Sequence, residues 1–151
     1  DWPTWRDRAL KHLRQDIARE FTERNKTGYA RMIAPDRSRL VEILLSEQEI
    51  GAARREAEAG GCRDELWLRL ADLRAKDHPD DSLAIYRRQA ALLVEQTNNQ
   101  AYEQAMVLIR KIEPLLRQRD SGAQQWSDYL AELRGKYKAK RNFMKLLGAL
   151  R

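Results

Sequence analysis

Apolar residues return every three or four positions along most of this chain, and a glycine, a proline or a capping side chain breaks the pattern at short intervals. That period belongs to amphipathic helices, in which positions three and four apart share a face. The first helix is predicted to open at Pro3 and Thr4, with Thr4 as its cap, and to align Trp5, Leu13, Ile17 and Phe21 on one side. Residues 25–34 read as a loop around Gly28 that docks on the helices through Tyr29, Met32 and Ile33. Pro35, Asp36 and Ser38 begin a second helix, whose Leu40, Ile43, Leu44 and Glu47 give it an apolar and a polar side. Gly51 either breaks that helix or lies inside a short hairpin. Residues 52–59 form a small-residue helix, ended by Gly60-Gly61 because glycine takes the left-handed cap conformation without strain.

The pattern continues in the second half. Asp64 is placed to cap a helix with Leu66, Trp67, Leu70 and Leu73 as its buried stripe. His78-Pro79-Asp80-Asp81 stops it and starts another, in which Leu83, Tyr86, Ala90 and Leu93 recur. Asn98 or Asn99 caps the next, which carries Tyr102, Ala105, Met106, Ile109 and Ile112. Pro114 falls inside that helix and predicts a kink near Arg110, since proline gives up a hydrogen bond and crowds the carbonyl four residues back. After a turn at Ser121-Gly122, Trp126, Tyr129, Leu130 and Leu133 line a seventh helix. A basic tail helix over about residues 136–150 sets Phe143, Leu146, Leu147 and Leu150 against Lys138, Arg141 and Lys145 on the opposite face.

No β-hairpin dipeptide stands between alternating apolar runs. The chain is therefore predicted to be all-α, a single helical-repeat domain over residues 1–151, with about seven to eight helices. Short connections force neighbouring helices antiparallel. Hairpins starting near Asp64 and near Asn99 share a layout, at roughly the 34–45-residue spacing of helical-hairpin repeats. Trp67, Leu70 and Ala71 fit the first helix of a tetratricopeptide repeat and the later positions drift, so the expectation is tetratricopeptide-like solenoid packing.

Composition sharpens this picture. Charged residues make up 34% of the chain, with only 7 Gly and 4 Pro, which suits long helices with solvated outer faces. Cys62 is the single cysteine and has no partner for an internal disulfide, which points to a reducing, cytoplasmic compartment. No apolar run approaches the ~18 residues of a membrane span, and the first 23 residues are too charged for a signal peptide. The chain opens at Asp1 rather than Met, which suggests a segment of a larger protein. The net charge of +6 is confined to one end. From Gly135 onward there are Lys136, Lys138, Lys140, Arg141, Lys145 and Arg151 and no acid, while the preceding residues are formally balanced. Such a tail suits nucleic acid or an acidic protein surface.

Four runs carry a family likeness: Ala84-Ile85-Tyr86-Arg87-Arg88, the stretch Val94-Glu95-Gln96-Thr97-Asn98-Asn99-Gln100-Ala101-Tyr102, then Tyr129-Leu130-Ala131-Glu132-Leu133-Arg134, and Lys140-Arg141-Asn142-Phe143-Met144-Lys145-Leu146-Leu147. Together they resemble the C-terminal helical region of bacterial SWIM zinc-finger proteins, over roughly Ser38 to the end. The resemblance implies a helical extension that follows a small zinc domain proposed to bind DNA or protein. That domain holds its metal through a Cys-x-Cys and a Cys-x-His pair. Neither His12 nor His78 follows a cysteine at that spacing, so the zinc ligands carry over to no residue here.

Residues with chemical potential have plainer readings beside the sharper ones. Cys62 can be a nucleophile, or a small, partly buried hydrophobe after a helix end. Asp77, His78, Asp80 and Asp81 have the atoms to hold a cation, but carboxylates at a helix start also satisfy free backbone N–H groups. His12 and Asp16 stand four apart, as an acid–base dyad or as a surface pair. Trp67, Tyr86, Tyr102, Trp126 and Tyr129 line a ligand groove or simply form the core. Trp2 and Trp5 are candidates for packing against something upstream. The basic residues Lys136, Lys138, Lys140, Arg141 and Lys145 contact phosphates, with Tyr137 free to stack, or form the solvated face of a last helix.

With no phosphate loop and no set of catalytic groups at a recognisable spacing, the chain is expected not to be an enzyme, and no cofactor, metal or small-molecule substrate is anticipated. The expected role is a scaffolding or interaction module that contacts another protein or an upstream domain. The alternative is a nucleic-acid-binding accessory acting through the basic end.

Overall fold

The computed structural model of the chain describes residues 1–26 and 36–150. Among them are eight helices and no strand: α1 (Trp2–Lys26), α2 (Ser38–Ser46), α3 (Ile50–Gly60), α4 (Asp64–Arg74), α5 (Pro79–Glu95), α6 (Asn99–Arg117), α7 (Gly122–Lys136) and α8 (Arg141–Leu147). The all-α class and the helix number match the periodicity. The expected docking of Tyr29, Met32 and Ile33, and Pro35 as a helix opener, lie outside the described residues. No described helix is long and apolar enough to cross a membrane. The chain divides into two compact units, Asp1–Leu70 and Ala71–Arg151, and the division falls within α4.

In unit 1, α1 is a long, polar helix with little to bury. Among its described side chains Leu10 is buried, joined by the half-buried Leu13 and Ile17. Trp5, expected on the apolar face, is 67% exposed. Trp5 and Leu13 are eight residues apart, about 800° of helical turn, so the stripe drifts by some 80° and Leu10 takes the inward place. Thr4 does not cap: it sits within the first turn, where its hydroxyl donates to Asp1 Oδ2 at 3.4 Å. Leu40, Val41, Leu44 and Leu45 of α2 pack with Ala53 and Ala57 of α3 and with Leu66 and Leu70 of α4. The small residues of α3 let α2 approach closely.

Asp36 organises the start of α2, its Oδ1 accepting from the Ser38 backbone N–H at 2.9 Å and from the Ser38 hydroxyl at 2.6 Å. Ser38 Oγ in turn accepts from the Arg63 backbone N–H at 2.9 Å, tying this start to that of α4. Gly51 does not break a helix; the turn comes earlier, at Gln48 (φ 61°), and Gly51 lies in the first turn of α3. Gly61 ends α3 at φ 82°, a value that L side chains rarely adopt.

In unit 2, α5 and α6 form an antiparallel hairpin. Three residues connect the end of α5 to the start of α6, while Asp80 at the start of α5 accepts from Arg119, just past the end of α6. This pairing falls between the two hairpins read from sequence. Asn98 caps α6, its Oδ1 accepting from the Ala101 N–H at 2.8 Å. The helix then buries a broad face, including Tyr102, Met106, Ile109, Ile112 and Leu116, because α5, α7 and α8 all pack on it. It runs unbroken through Pro114, which is exposed. A Cβ on Gly122 would collide with the backbone of Leu116 and Arg117, so only glycine lets α7 begin so close to the end of α6.

The tail is not one helix. α7 ends at Lys136, residues 137–140 turn, and α8 follows. Packing explains the break. Residues six apart on a straight helix lie about 240° round from one another, so Tyr137 and Phe143 could not both face the core. The turn brings their rings together edge-on, centroids 5.7 Å apart, with Tyr102 5.7 Å from Phe143 on another side.

Candidate binding surface

Two connections meet at one end of unit 2. The α5–α6 turn carries Thr97 at φ 55° and Asn98, and the α7–α8 turn carries Lys138, Ala139 and Lys140. Lys140 Nζ donates to Thr97 Oγ1 at 2.6 Å, and Asn142 Nδ2 donates to Asn99 Oδ1 at 3.0 Å. Both bonds join residues 43 positions apart. Between the turns lies an open cleft of about 400 Å³. Its walls are Thr97, Asn98, Asn99, Ala139, Lys140, Arg141 and Asn142, with Tyr102 beneath, and none of these is a carboxylate.

The five basic residues singled out from sequence do not form one helical stripe. Lys136 is in the last turn of α7, its Nζ 5.4 Å from the Tyr137 ring centroid. Lys138 is exposed in the turn, and Lys140 is half-buried and reaches the cleft. Arg141 opens α8, and Lys145, one helical turn on, shares its exposed side. None of the five is ion-paired among the described residues. Elsewhere many cations are. Arg6, Arg14, Arg37 and Arg63 hold carboxylates in unit 1, and Arg74, Lys111, Arg117 and Arg119 do so in unit 2. Tyr137 is not free to stack on a base, because its ring is buried against Phe143.

The other candidates fall into structural places. Cys62 is half-buried against the unit 1 core. His12 and Asp16 are both exposed and share no hydrogen bond. Asp80 and Asp81 lie in the first turn of α5, where Asp80 meets Arg119 and Asp81 meets Arg74 at 2.8 Å. No group of three potential metal ligands is brought together among the described residues. Tyr86, Tyr102, Trp126 and Tyr129 are core residues. Burial, reinforced by the Tyr86 hydroxyl donating to Asp72, pushes the Tyr86 phenol well above its ordinary range. Burial does the same for Tyr129, against the pull of Arg87 over its ring at 4.8 Å. Trp67 is half-buried, while Trp2 and Trp5 are exposed.

Sequence reasoning gave Thr97, Asn99 and Asn142 no part in a site. Asn99 reads as a cap candidate, Thr97 and Asn142 stand only in the runs of family likeness, and only the meeting of the two connections gives the three a shared cleft. No protein-family model, curated protein or solved structure matches the chain.

Proposed function

We propose that this chain is a non-catalytic interaction module that offers the cationic end of unit 2 to an acidic partner. One observation carries the reading: Lys140 and Arg141 line a cleft with no carboxylate in its walls, and they and the neighbouring Lys136, Lys138 and Lys145 have no ion-pair partner among the described residues. Cations left in this state at a rigid helical end favour an incoming anion. On this reading the chain is the helical extension of a larger protein of the SWIM zinc-finger type, with tetratricopeptide-like stacking of its hairpins, and the surface docks another protein or a further part of the same polypeptide.

A second reading, contact with nucleic acid, is favoured by the cleft itself, whose amides and cations suit a phosphate better than a broad protein face. Fluorescence anisotropy with a labelled acidic peptide and with labelled DNA and RNA separates the two. Binding of the peptide, lost when Lys138, Arg141 and Lys145 become Glu, supports the protein partner. Binding of nucleic acid alone, weakening steeply with salt, supports the second reading. Binding of neither at low salt would sink the proposal.

A further inference from the structure

The cleft between the α5–α6 and α7–α8 turns differs from the rest of this cationic end. Lys138 and Lys145 project into solvent, where a charge attracts any polyanion and is readily screened. Lys140 is half-buried, and its ammonium is held by a neutral hydroxyl, that of Thr97, rather than by a carboxylate. No carboxylate offsets it there, and it has two further N–H donors. Opposite it, the Asn142–Asn99 bond fixes both amides and uses one donor of Asn142 and one lone pair of Asn99, so the Asn99 amide retains both of its N–H groups. Arg141 stands at the rim with a planar guanidinium able to grip phosphate oxygens in pairs or to stack on a base. The cleft therefore offers fixed donors and positive charge and contains no acid.

Resting on the nucleic-acid reading above, we infer that this cleft seats a backbone phosphate of single-stranded nucleic acid, held by Lys140, Asn99 and Arg141. A single strand fits better than a duplex. The open recess, about 400 Å³, is of a size for one nucleotide unit, and a splayed base has Arg141 and the amide of Asn98 beside it. Lys136, Lys138 and Lys145 supply the surrounding electrostatic attraction.

The test uses the full chain and a short labelled oligo(dT), with anisotropy read across a salt series. Asn99→Asp is the discriminating variant. The carboxylate is the same shape and still accepts from Asn142, but it puts a negative charge inside the cleft. Gln104→Glu adds the same charge on the exposed side of α6, outside the cleft. Asn99→Asp is expected to weaken binding about tenfold, the size of losing a hydrogen bond to a charged group. Gln104→Glu is expected to change it less than about twofold, as for an exposed, screened charge. Lys140→Gln is expected to flatten the dependence of log affinity on log salt by about 0.7, one single-strand phosphate contact. A merely structural role for Lys140 would leave that slope unchanged. Equal effects of Asn99→Asp and Gln104→Glu would overturn the cleft while the broader nucleic-acid reading stood. Failure of oligo(dT) to bind the unmodified chain at low salt would overturn both.

Discussion

The two units solve the same problem, how to hold polar helices together, with different materials. Unit 1 has an aliphatic core of leucine, valine and alanine, and its tryptophans are half-buried or exposed. Its long α1 is secured as much by charge as by burial. Arg14 of α1 and Arg37, just before α2, both reach Glu56 of α3, and Arg6 of α1 reaches Glu47 at 2.6 Å. Unit 2 is built around rings. Tyr86, Tyr102, Trp126, Tyr129, Tyr137 and Phe143 are all buried, on four helices and a turn. These rings lie among a larger set of buried aliphatic residues, and at the basic end Lys140 ties the two turns together through Thr97 while Lys138, Arg141 and Lys145 are exposed. Aromatic residues at helical spacing thus meant core in unit 2, whereas in unit 1 Trp2 and Trp5 are exposed and Trp67 is only half-buried against the core.

Truncating the ring cluster strikes this contrast hardest. Phe143→Ala removes a fully buried ring with two aromatic neighbours and is expected to cost about 3–5 kcal/mol of stability in chemical denaturation. A loss below about 1 kcal/mol would mean that α8 contributes little to the core of unit 2.

The charge-held unit is probed by Glu56→Gln, with an expected cost of about 1–2 kcal/mol at neutral pH. Burial by itself would raise the Glu56 carboxyl, but hydrogen bonds from Arg14 and Arg37 outweigh it and hold the group below the usual carboxylate range. A carboxylate with a depressed folded value adds stability above its unfolded range and loses it as pH falls through the folded value. The gap between wild type and Glu56→Gln should therefore shrink on acidification. A gap independent of pH would show that shape, not charge, is what Glu56 supplies.

Asn98→Ala deletes a helix cap and is expected to cost about 1 kcal/mol, seen as a lower denaturation midpoint. The smallest effect per residue belongs to Lys138, Arg141 and Lys145 changed together to Glu. Stability should move by no more than about 0.5 kcal/mol per site, because these residues are exposed and unpaired. A large loss would assign them to the fold rather than to binding.

Much of the architecture was legible because its causes are local. The helix-stop at Gly60-Gly61, the start at Pro79, the cap at Asn98 and the turn at Ser121-Gly122 each depend on a few consecutive residues. The buried face of α6 follows from its 3.6-residue period. The reading failed where a face is chosen by neighbours. Trp5 and Leu73 carry the right apolar signal but lie exposed, and Leu10 was overlooked. The tail was read as one helix because its propensity is continuous.

The sequence by itself determined the helical class, most helix boundaries and the confinement of net charge to the last residues, since backbone propensity, capping and charge count are properties of short segments. Only the tertiary structure decided that Tyr137 and Phe143 share one pocket of rings, that the tail must turn to put them there, and that Thr97 and Asn99 meet Lys140 and Asn142 across a cleft. The two bonds across the cleft join residues 43 positions apart, and no local rule ranks one such meeting over another until packing has selected it.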